Sequence, residues 1–268
     1  MEPVTTHTIH GALLDRSVDV LVIGAGGNGG VVLEHLLRLH QALQAWGHRG
    51  LNVTLMDGDV VTETNCVRQS FSYSDIGQNK ATILINRVNL YKGTGWCAFP
   101  TMFGQDSLRD RHYDIVIGCV DTKAARRAIA DALTKPGCGV IYYLDLGNSE
   151  STGQYILGQP LNSYNRRKAD RLRCVWELYP EMLAHEEDPG PSCSAAEALE
   201  RQGPMVNCCV ASQAIALLAT LFRRGTISHQ GGFINVETGM TVPVKINNNI
   251  RLKACRRSQP RQKTLAAA

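Results

Sequence analysis

A buried strand that breaks into a glycine-rich turn and then a helix is the feature that most constrains the fold of this chain. Residues 20–30 read VLVIGAGGNGG, an apolar run followed by five glycines in seven positions. Because glycine has no Cβ, such a turn lets the backbone approach a phosphate, and the helix that follows offers free N–H groups and a positive dipole end. Gly24, Gly26 and Gly29 satisfy G-x-G-x-x-G, a pattern that many dinucleotide-binding enzymes share. The run therefore predicts a phosphate-binding turn without specifying the nucleotide.

The overall composition is that of an ordinary globular protein. The 268 residues are 44% apolar and 19% charged, enough to bury a sizeable core. The nine cysteines are an odd number with no secretory hydrophobic segment before them, so a reducing, cytoplasmic location is expected. The most apolar stretch, residues 206–222, contains Asn207 and Gln213 and is too short and polar for a membrane span. A buried helix is predicted there, and no membrane partner is expected.

Positive charge is concentrated at the C-terminal end of the sequence. The net charge is +4, and residues 251–263 alone hold six lysines and arginines. Without interleaved aromatic residues this pattern is typical of a solvated, disordered tail, so no specific nucleic-acid binding is expected. We predict a nucleotide-binding half over residues 1–150, a crossover segment and C-terminal half of the same domain over 151–255, and a basic tail over 256–268.

Strands and helices are predicted to alternate through the first half. Apolar residues recur at spacings of four, three and four from Val32 to Leu43, which is typical of a helix face packed on a sheet, and this helix is expected to end near Trp46. Further helices are predicted over 80–90 and 123–133, and strands over 51–56, 96–99, 113–120 and 139–145. This rhythm predicts an α/β fold with a Rossmann-like, doubly wound, mostly parallel sheet.

The second half is predicted to complete the same fold. Residues 162–203 are charged and contain prolines, which indicates a long crossover segment. A strand pair within 233–246 forms a C-terminal antiparallel extension. Ligands of such sheets bind at the carboxyl ends of the strands, where we expect Gly24, Asp57, Asp121 and Asp145.

Polar residues follow the second strand at fixed offsets. Asp57, in an Asp-Gly-Asp59 run, is placed to accept hydrogen bonds from ribose hydroxyls, as in any Rossmann enzyme. Asn65, Arg68 and Lys80 supply donors and two positive charges, which suit a triphosphate better than a neutral nicotinamide. The set predicts a nucleoside-triphosphate site.

Asp121 and Asp75 each have a simpler interpretation as well. Asp121 can hold a divalent cation on the phosphates, because Mg²⁺ prefers oxygen ligands and often uses one or two carboxylates. Taken alone, it can equally be a helix N-cap with Thr122 as its neighbour. Asp75 is interpreted as a cap or turn residue.

Five separate motifs resemble the ThiF/MoeB/ubiquitin-activating (E1-like) adenylyltransferase family, whose pattern is G-x-G-G-x-G, D-x-D, S-N-x-x-R-Q, D-I-G-x-x-K and a later T-D-N. The corresponding stretches begin at Gly24, Asp57, Asn65, Asp75 and Val120 and read GAGGNG, DGD, NCVRQ, DIGQNK and VDT. Their order and spacing match over residues 18–147. The run PSCSAAEALERQ at 191–202 looks like the ThiF-related member of the bacterial PRTRC gene cassette.

The resemblance implies ATP-dependent activation of a carboxylate as an acyl adenylate, with release of pyrophosphate. The carboxylate is commonly the C-terminal glycine of a ubiquitin-like or sulfur-carrier-like protein, and a homodimer is implied. The nucleotide-contacting residues it implies are Gly24, Gly26, Gly27, Asn28, Gly29, Asp57, Asp59, Asn65, Arg68, Gln69, Lys80 and Asp121, with Asp59 alternatively a turn-former. Arg68, Lys80 and Asp121 would be catalytic, and Asp121 would carry the magnesium bound with ATP.

The sequence departs from the family pattern in three places. Many members carry an N-terminal R-Y-x-R-Q segment that reaches into the partner subunit; here Arg16 is the one arginine of residues 1–17, and it is expected to be solvent-exposed. The two C-x-x-C pairs that bind zinc in many relatives are missing, so zinc is not expected. Cys193 lies in the crossover segment where some relatives hold an acyl-accepting cysteine, and it is either that thiol or a semi-buried loop residue.

Two other function classes stay open at this point. The missing N-terminal arginine motif fits a catalytically silent E1-like scaffold that binds nucleotide or a ubiquitin-like protein. The glycine turn and a strand-end acid alone fit an NAD-dependent oxidoreductase, although Arg68 and Lys80 have no role in hydride transfer.

Overall fold

An eight-stranded sheet forms the centre of the structure, a computed structural model that describes residues 5–67, 69–109, 111–166, 168, 170–183, 203 and 205–246. Its strands along the chain are β2 (Val18–Ile23), β3 (Leu51–Met56), β4 (Cys97–Phe99), β5 (Ile115–Gly118), β6 (Tyr142–Asn148), β7 (Thr152–Gly158), β9 (His229–Asn235) and β10 (Met240–Lys245). Two short strands, β1 (His7–Thr8) and β8 (Thr226–Ile227), pair antiparallel beside it.

One half of the sheet is parallel, with the strand order β4-β3-β2-β5-β6. The helices are α1 (Gly27–Ala45), α2 (Lys80–Lys92), α3 (Lys123–Thr134), α4 (Val175–Leu178) and α5 (Val206–Arg224). Alternate residues of β2 divide the core between the two faces. Val20 and Val22 pack in the cluster that includes α1, α2 and α5, whereas Leu21 and Ile23 pack with Ile129 of α3. The predicted doubly wound Rossmann-like fold is therefore confirmed.

The other half of the sheet is antiparallel, with the order β6-β7-β9-β10. The strand pair predicted within 233–246 is present as β9 and β10. Strand β7 was not predicted, and it connects this pair to the parallel half. Of the predicted crossover segment, the described part holds only turns, α4 and a 3₁₀ turn at Pro180–Leu183, and residues 184–202 lie outside the described residues.

The predicted strand over 139–145 is displaced toward the C-terminus, and the placement of Asp145 at a strand end was wrong. Asp145 lies within β6 and is fully buried. Its Oδ1 accepts hydrogen bonds of 2.9 Å from both Arg126 Nε and the Tyr143 hydroxyl. These donors offset part of the cost of burying the carboxylate, so Asp145 can lie inside the strand.

Arg16, predicted to be solvent-exposed, keeps 39% of its side chain exposed, but it is engaged in an ion pair that the sequence did not reveal. Its guanidinium forms a two-pronged ion pair with Asp114, which is fully buried just before β5. The Asp114 carboxylate also accepts a 2.9 Å hydrogen bond from the backbone N–H of Asp19. Arg16 therefore fastens the entry of β2 to that of β5.

Helix α5 confirms the helix predicted over 206–222. It is long and apolar enough to pass a membrane-span test, which core helices of soluble proteins also pass. Val210, Ala214 and Leu218 are buried along one face of α5, in the same core cluster as Leu36 and Leu43 of α1. The apolar sequence of α5 is thus used in the core beside α1.

Candidate functional site

A cleft of about 420 Å³ opens at the carboxyl ends of the parallel strands. Its walls come from the turn before α1, the turns after β3 and β5, the end of β6, and the starts of β7 and α5. Nine of the residues named above as nucleotide contacts line it: Gly24, Gly26, Gly27, Asn28, Asp57, Asp59, Gln69, Lys80 and Asp121. The structure thus brings separate sequence motifs to one cavity.

The glycine turn takes a shape that larger residues would block. Gly24 has φ of +96°, and a Cβ there would lie 2.6 Å from the carbonyl oxygen of Cys119. A Cβ on Gly29 would overlap the carbonyl oxygen of Gly24. Gly29 is buried in α1 and does not line the cleft, so its part is to let the helix pack against the turn. Gly26 is the N-cap of α1 and supplies no side-chain hydrogen bond, which leaves the first N–H groups of the helix free at the cleft.

Asp57 is held by backbone donors on both carboxylate oxygens. Its Oδ2 accepts a 2.6 Å hydrogen bond from Ala25 N–H, and its Oδ1 accepts one of 2.7 Å from Asp59 N–H. Burial raises the pKa of Asp57 above its ordinary value, and these two donors offset part of that rise. Each oxygen retains a second lone pair, so the carboxylate is oriented and can still accept a ligand hydroxyl.

Lys80 and Asp59 form an ion pair at the rim of the cleft. Lys80 is the first residue of α2 and is 7% exposed, and its Nζ lies 3.1 Å from Oδ2 of Asp59. Asn79 caps α2, accepting from Thr82 N–H, and its Nδ2 donates to the backbone carbonyls of Asp57 and Asp59. Sequence reasoning missed Asn79, although a cap residue just before a helical pattern was a usable signal.

Asp121 presents an exposed carboxylate to the cleft. The cap of α3 is Thr122, whose hydroxyl accepts a 3.1 Å hydrogen bond from Ala125 N–H, so the alternative that Asp121 caps the helix was wrong. Within the described ranges, no three or more His, Cys, Asp and Glu residues are grouped to hold a metal ion. A magnesium ion at Asp121 would therefore take further oxygen ligands from a phosphate group and from water, which is usual for this cation.

Of the remaining predicted site residues, some line the cleft and others do not. The side-chain oxygen of Asn65 accepts a 3.0 Å hydrogen bond from Thr62 N–H in a 3₁₀ turn, and Asn65 does not line the cleft. Gln69 does line it, with its buried Oε1 unpaired among the described residues. Arg68 and Cys193 lie outside the described residues. Asp75 is a cap residue, as interpreted from the sequence: it forms a capping box with Ser72.

Arg126 is a cleft residue that sequence reasoning missed. It lies in α3, and its guanidinium donates to Asp145 and to the backbone carbonyls of Val120 and Leu146. Burial lowers the pKa of Arg126, but the Asp145 carboxylate more than offsets this, and the pKa is raised. Arg126 is a fixed cation at the floor of the cleft. Its helical position, four residues after Thr122, was visible in the sequence, but its partner 19 residues further on was not.

Uncharged amide side chains form a further wall, of which the sequence analysis named only Asn28. Asn28 of α1, Asn148 of β6, Gln154 of β7 and Asn207 of α5 all line the cleft. Both amide atoms of Asn207 and Oδ1 of Asn28 are buried without a partner among the described residues. An unpaired buried polar group costs about 1–3 kcal/mol of folding free energy, so an arrangement of this kind calls for a ligand or ordered water.

The cleft and sheet define a Rossmann-like α/β protein, and comparison with known families identifies the class. A family model described as the ThiF family matches residues 13–249. The chain therefore belongs to the ThiF family.

Two curated relatives show where the chain resembles known proteins. It is 28% identical over 246 residues to the adenylyltransferase and sulfurtransferase UBA4 of Eremothecium gossypii, over 87% of this chain and 48% of the relative. It is 29% identical over 122 residues to the ATP-dependent ubiquitin transferase-like protein Cap2 of Enterobacter hormaechei subsp. hoffmannii, over 43% of this chain and 18% of the relative. The chain thus spans less than half the length of these relatives.

Solved structures with the same fold include two of low sequence identity. The E. coli MccB structure with ATP has a TM-score of 0.57 at 15% identity, covering 87% of this chain and 64% of that one. PaaA has a TM-score of 0.59 at 15% identity, covering 85% and 64%. At this identity the likeness shows the fold.

Proposed function

We propose that this chain is an ATP-dependent adenylyltransferase that activates the terminal carboxylate of a ubiquitin-like or sulfur-carrier-like protein, or of a peptide. The observation that carries the proposal is the meeting of the glycine turn, Asp57, Lys80 and Asp121 in one cleft. The names of the relatives support it, since UBA4 is an adenylyltransferase and sulfurtransferase and Cap2 an ATP-dependent ubiquitin transferase-like protein.

The proposed reaction joins a carboxylate oxygen to the α-phosphorus of ATP. That bond forms as the bond from the α-phosphorus to the bridging oxygen breaks, so the products are an acyl adenylate and pyrophosphate. In the proposal, N–H groups at the start of α1 and the Lys80 ammonium hold the phosphates, and Asp57 accepts from the ribose. Arg68, from its place in the motif, is assigned to the phosphates as well. Such catalysis consists mainly of positioning and charge neutralisation.

Asp121 is assigned to magnesium on the chemistry of its side chain. Its carboxylate is exposed, faces the cleft and is not used as a helix cap. A magnesium ion there would neutralise phosphate charge, and Asp121 would position it.

Exchange of labelled pyrophosphate into ATP tests the proposal. We expect exchange that depends on a small protein ending in Gly-Gly, found among neighbouring genes or by pull-down. If the chain binds ATP but no such partner supports exchange, adenylation of a protein carboxylate is wrong.

A catalytically silent scaffold is the second candidate, and the position of Arg16 favours it. Its guanidinium is engaged with Asp114 and is not extended away from the domain. A scaffold would bind ATP without forming an adenylate, so a detected adenylate excludes it. Membership in the ThiF family argues against the NAD-dependent oxidoreductase.

The PRTRC assignment, the acyl-accepting role of Cys193 and the homodimer are proposals too. Residues 191–202, which carry the resemblance to the PRTRC member, and the Cys193 thiol among them lie outside the described residues. Neighbouring genes test the PRTRC assignment, and light scattering at micromolar concentration tests the homodimer.

A further inference from the structure

One wall of the cleft, called the amide wall below, indicates which kind of acyl substrate the cleft binds. Four elements contribute to it: Asn28 from α1, Asn148 from β6, Gln154 from β7 and Asn207 from α5. All four side chains are uncharged amides. Charged side chains line another part of the cleft, among them Asp57, Asp59, Lys80 and Asp121.

Asn207 is the most unusual member of this wall. It is 2% exposed, yet neither its Oδ1 nor its Nδ2 has a hydrogen-bond partner in the part of the chain that the structure describes. Its amide lies directly over Gly27, where a Cβ would overlap Nδ2. Among the described residues the side chain is therefore held by packing alone, which leaves its donor and its acceptor available to a ligand.

Asn28, another residue of this wall, has a further unused acceptor. Its Nδ2 donates a 2.8 Å hydrogen bond to Oδ1 of Asn148, which fixes the orientation of the amide. Its Oδ1 is buried and unpaired among the described residues. Asn28 and Asn207 together thus offer two acceptors and one donor group.

This set of free groups matches a peptide group better than a carboxylate alone. A carboxylate only accepts, so it would leave both Asn acceptors unpaired. A peptide group supplies an N–H and a C=O, and Asn207 complements both whichever way its amide is turned.

We propose that Asn207 binds the last peptide group of the acyl substrate and thereby selects a peptide or protein terminus over a small organic acid. The inference rests on the proposed adenylation. Asn207 acts as a specificity residue, because it contacts the substrate next to the carboxylate that reacts.

Thermal unfolding tests whether the unpaired amide of Asn207 lowers the stability of the ligand-free protein, as expected for a group that pairs only with a ligand. Asn207→Leu keeps the approximate shape and removes both unpaired groups, so we expect Tm to rise by about 2–4 °C. Asn162→Leu is the matched control, because Asn162 is equally buried but paired: it donates to Val140 O and accepts from the N–H groups of Tyr164 and Asn165. That control is expected to lower Tm. A lower Tm for Asn207→Leu would overturn the proposal.

Pyrophosphate exchange with three synthetic acids tests the specificity itself. The probes are N-acetylglycylglycine, the analogue in which an ester oxygen replaces its last N–H, and propionate. We expect the dipeptide to support exchange, the ester to need at least about tenfold higher concentration, and propionate to support none. In Asn207→Leu we expect the KM for the dipeptide to rise about 30-fold, as for two lost hydrogen bonds, while the Kd of ATP by calorimetry is unchanged.

The outcomes separate this inference from the adenylation on which it rests. If propionate or the ester is exchanged as well as the dipeptide, or if Asn207→Leu leaves the KM unchanged, the assignment of Asn207 is wrong and adenylation stands. If wild-type protein that binds ATP exchanges with none of the probes and no protein carboxylate, both are wrong.

Discussion

The ammonium of Lys80 donates a 3.1 Å hydrogen bond to the carboxylate of Asp59, and this pair joins the start of α2 to the turn after β3. The backbone repeats the connection, because Lys80 N–H donates to the carbonyl of Asp59. The two charges come from separate motifs, 21 residues apart. The cation at this rim of the cleft is consequently fixed before any ligand arrives, which is how a site lowers the entropic cost of holding a charged substrate.

Replacing Lys80 is expected to weaken ATP binding. Lys80→Met removes the charge and leaves the stem, and the loss of a charge-assisted hydrogen bond predicts an affinity about 10- to 100-fold lower by calorimetry. Lys92→Met is the control, because Lys92 ends the same helix and lies over the ring of Tyr91. Equal ATP affinities in the two variants would contradict the placement of a phosphate at Lys80.

Substitutions at Asp121 and Thr122 are expected to affect different properties: the first should slow catalysis and the second should lower stability. Asp121→Asn keeps the shape but removes the charge, and we expect about 100-fold slower pyrophosphate exchange, partly restored by excess magnesium, with Tm unchanged. Thr122→Ala removes the cap of α3 and should cost about 1 kcal/mol of stability. A Tm loss in Asp121→Asn as large as that in Thr122→Ala would indicate that Asp121 has a structural role.

Gly29 is expected to tolerate no side chain. An alanine there would overlap the carbonyl oxygen of Gly24, so Gly29→Ala must displace the turn, at a cost of about 1–3 kcal/mol and with weaker ATP binding. Gly95→Ala serves as the comparison, since a Cβ there has no neighbour within 4 Å. Denaturant titration of both variants measures the difference. A Gly29→Ala protein as stable as Gly95→Ala would show that the turn is not held in this shape.

Asp75 is expected to make stability depend on pH. Burial raises the pKa of Asp75, but the N–H of Ser72 and the guanidinium of Arg87 more than offset this, and the pKa lies below the ordinary 3.8. A lowered folded-state pKa stabilises the fold above the unfolded value and loses that contribution as the pH falls through the folded value. Asp75→Asn should therefore cost at most about 1 kcal/mol at pH 7, since solvent screens the pair with the partly exposed Arg87. The difference from wild type, measured by denaturant titration, should shrink as the pH is lowered below about 4; a difference independent of pH would contradict it.

Much of the first half was predictable because each element carries a local pattern. The apolar spacing from Val32 to Leu43 and the β-branched run before Asp57 are properties of adjacent residues, and α1 and β3 follow them closely. The motif residues that line the cleft were named from the glycine turn, the polar residues after β3 and the family resemblance. Their meeting follows from parallel pairing, which places the ends of β2, β3 and β5 at one edge.

The parts that were missed depend on partners far along the chain. Strand β7 carries glycines at both ends of its apolar run, which weakens the strand pattern, but Gly153 is needed because a Cβ there would overlap a methyl group of Val210. Asp145 was placed at a strand end because it is charged, and only the donation from Arg126 and Tyr143 explains its burial. The unpaired amide of Asn207 is likewise visible only once α5 is packed on α1.

The contact of Asn207 with Gly27 also shows that the glycine turn does not form its binding cavity independently of the second half of the chain. The two residues lie 180 positions apart in the sequence (207 − 27), and the Asn207 amide fills the space above Gly27. A fragment ending near residue 150 would contain all five motifs yet lack α5, and the apolar side of α1 that packs beside it would face water. The first half thus holds the motifs, but a complete cavity exists only when the last helix has docked.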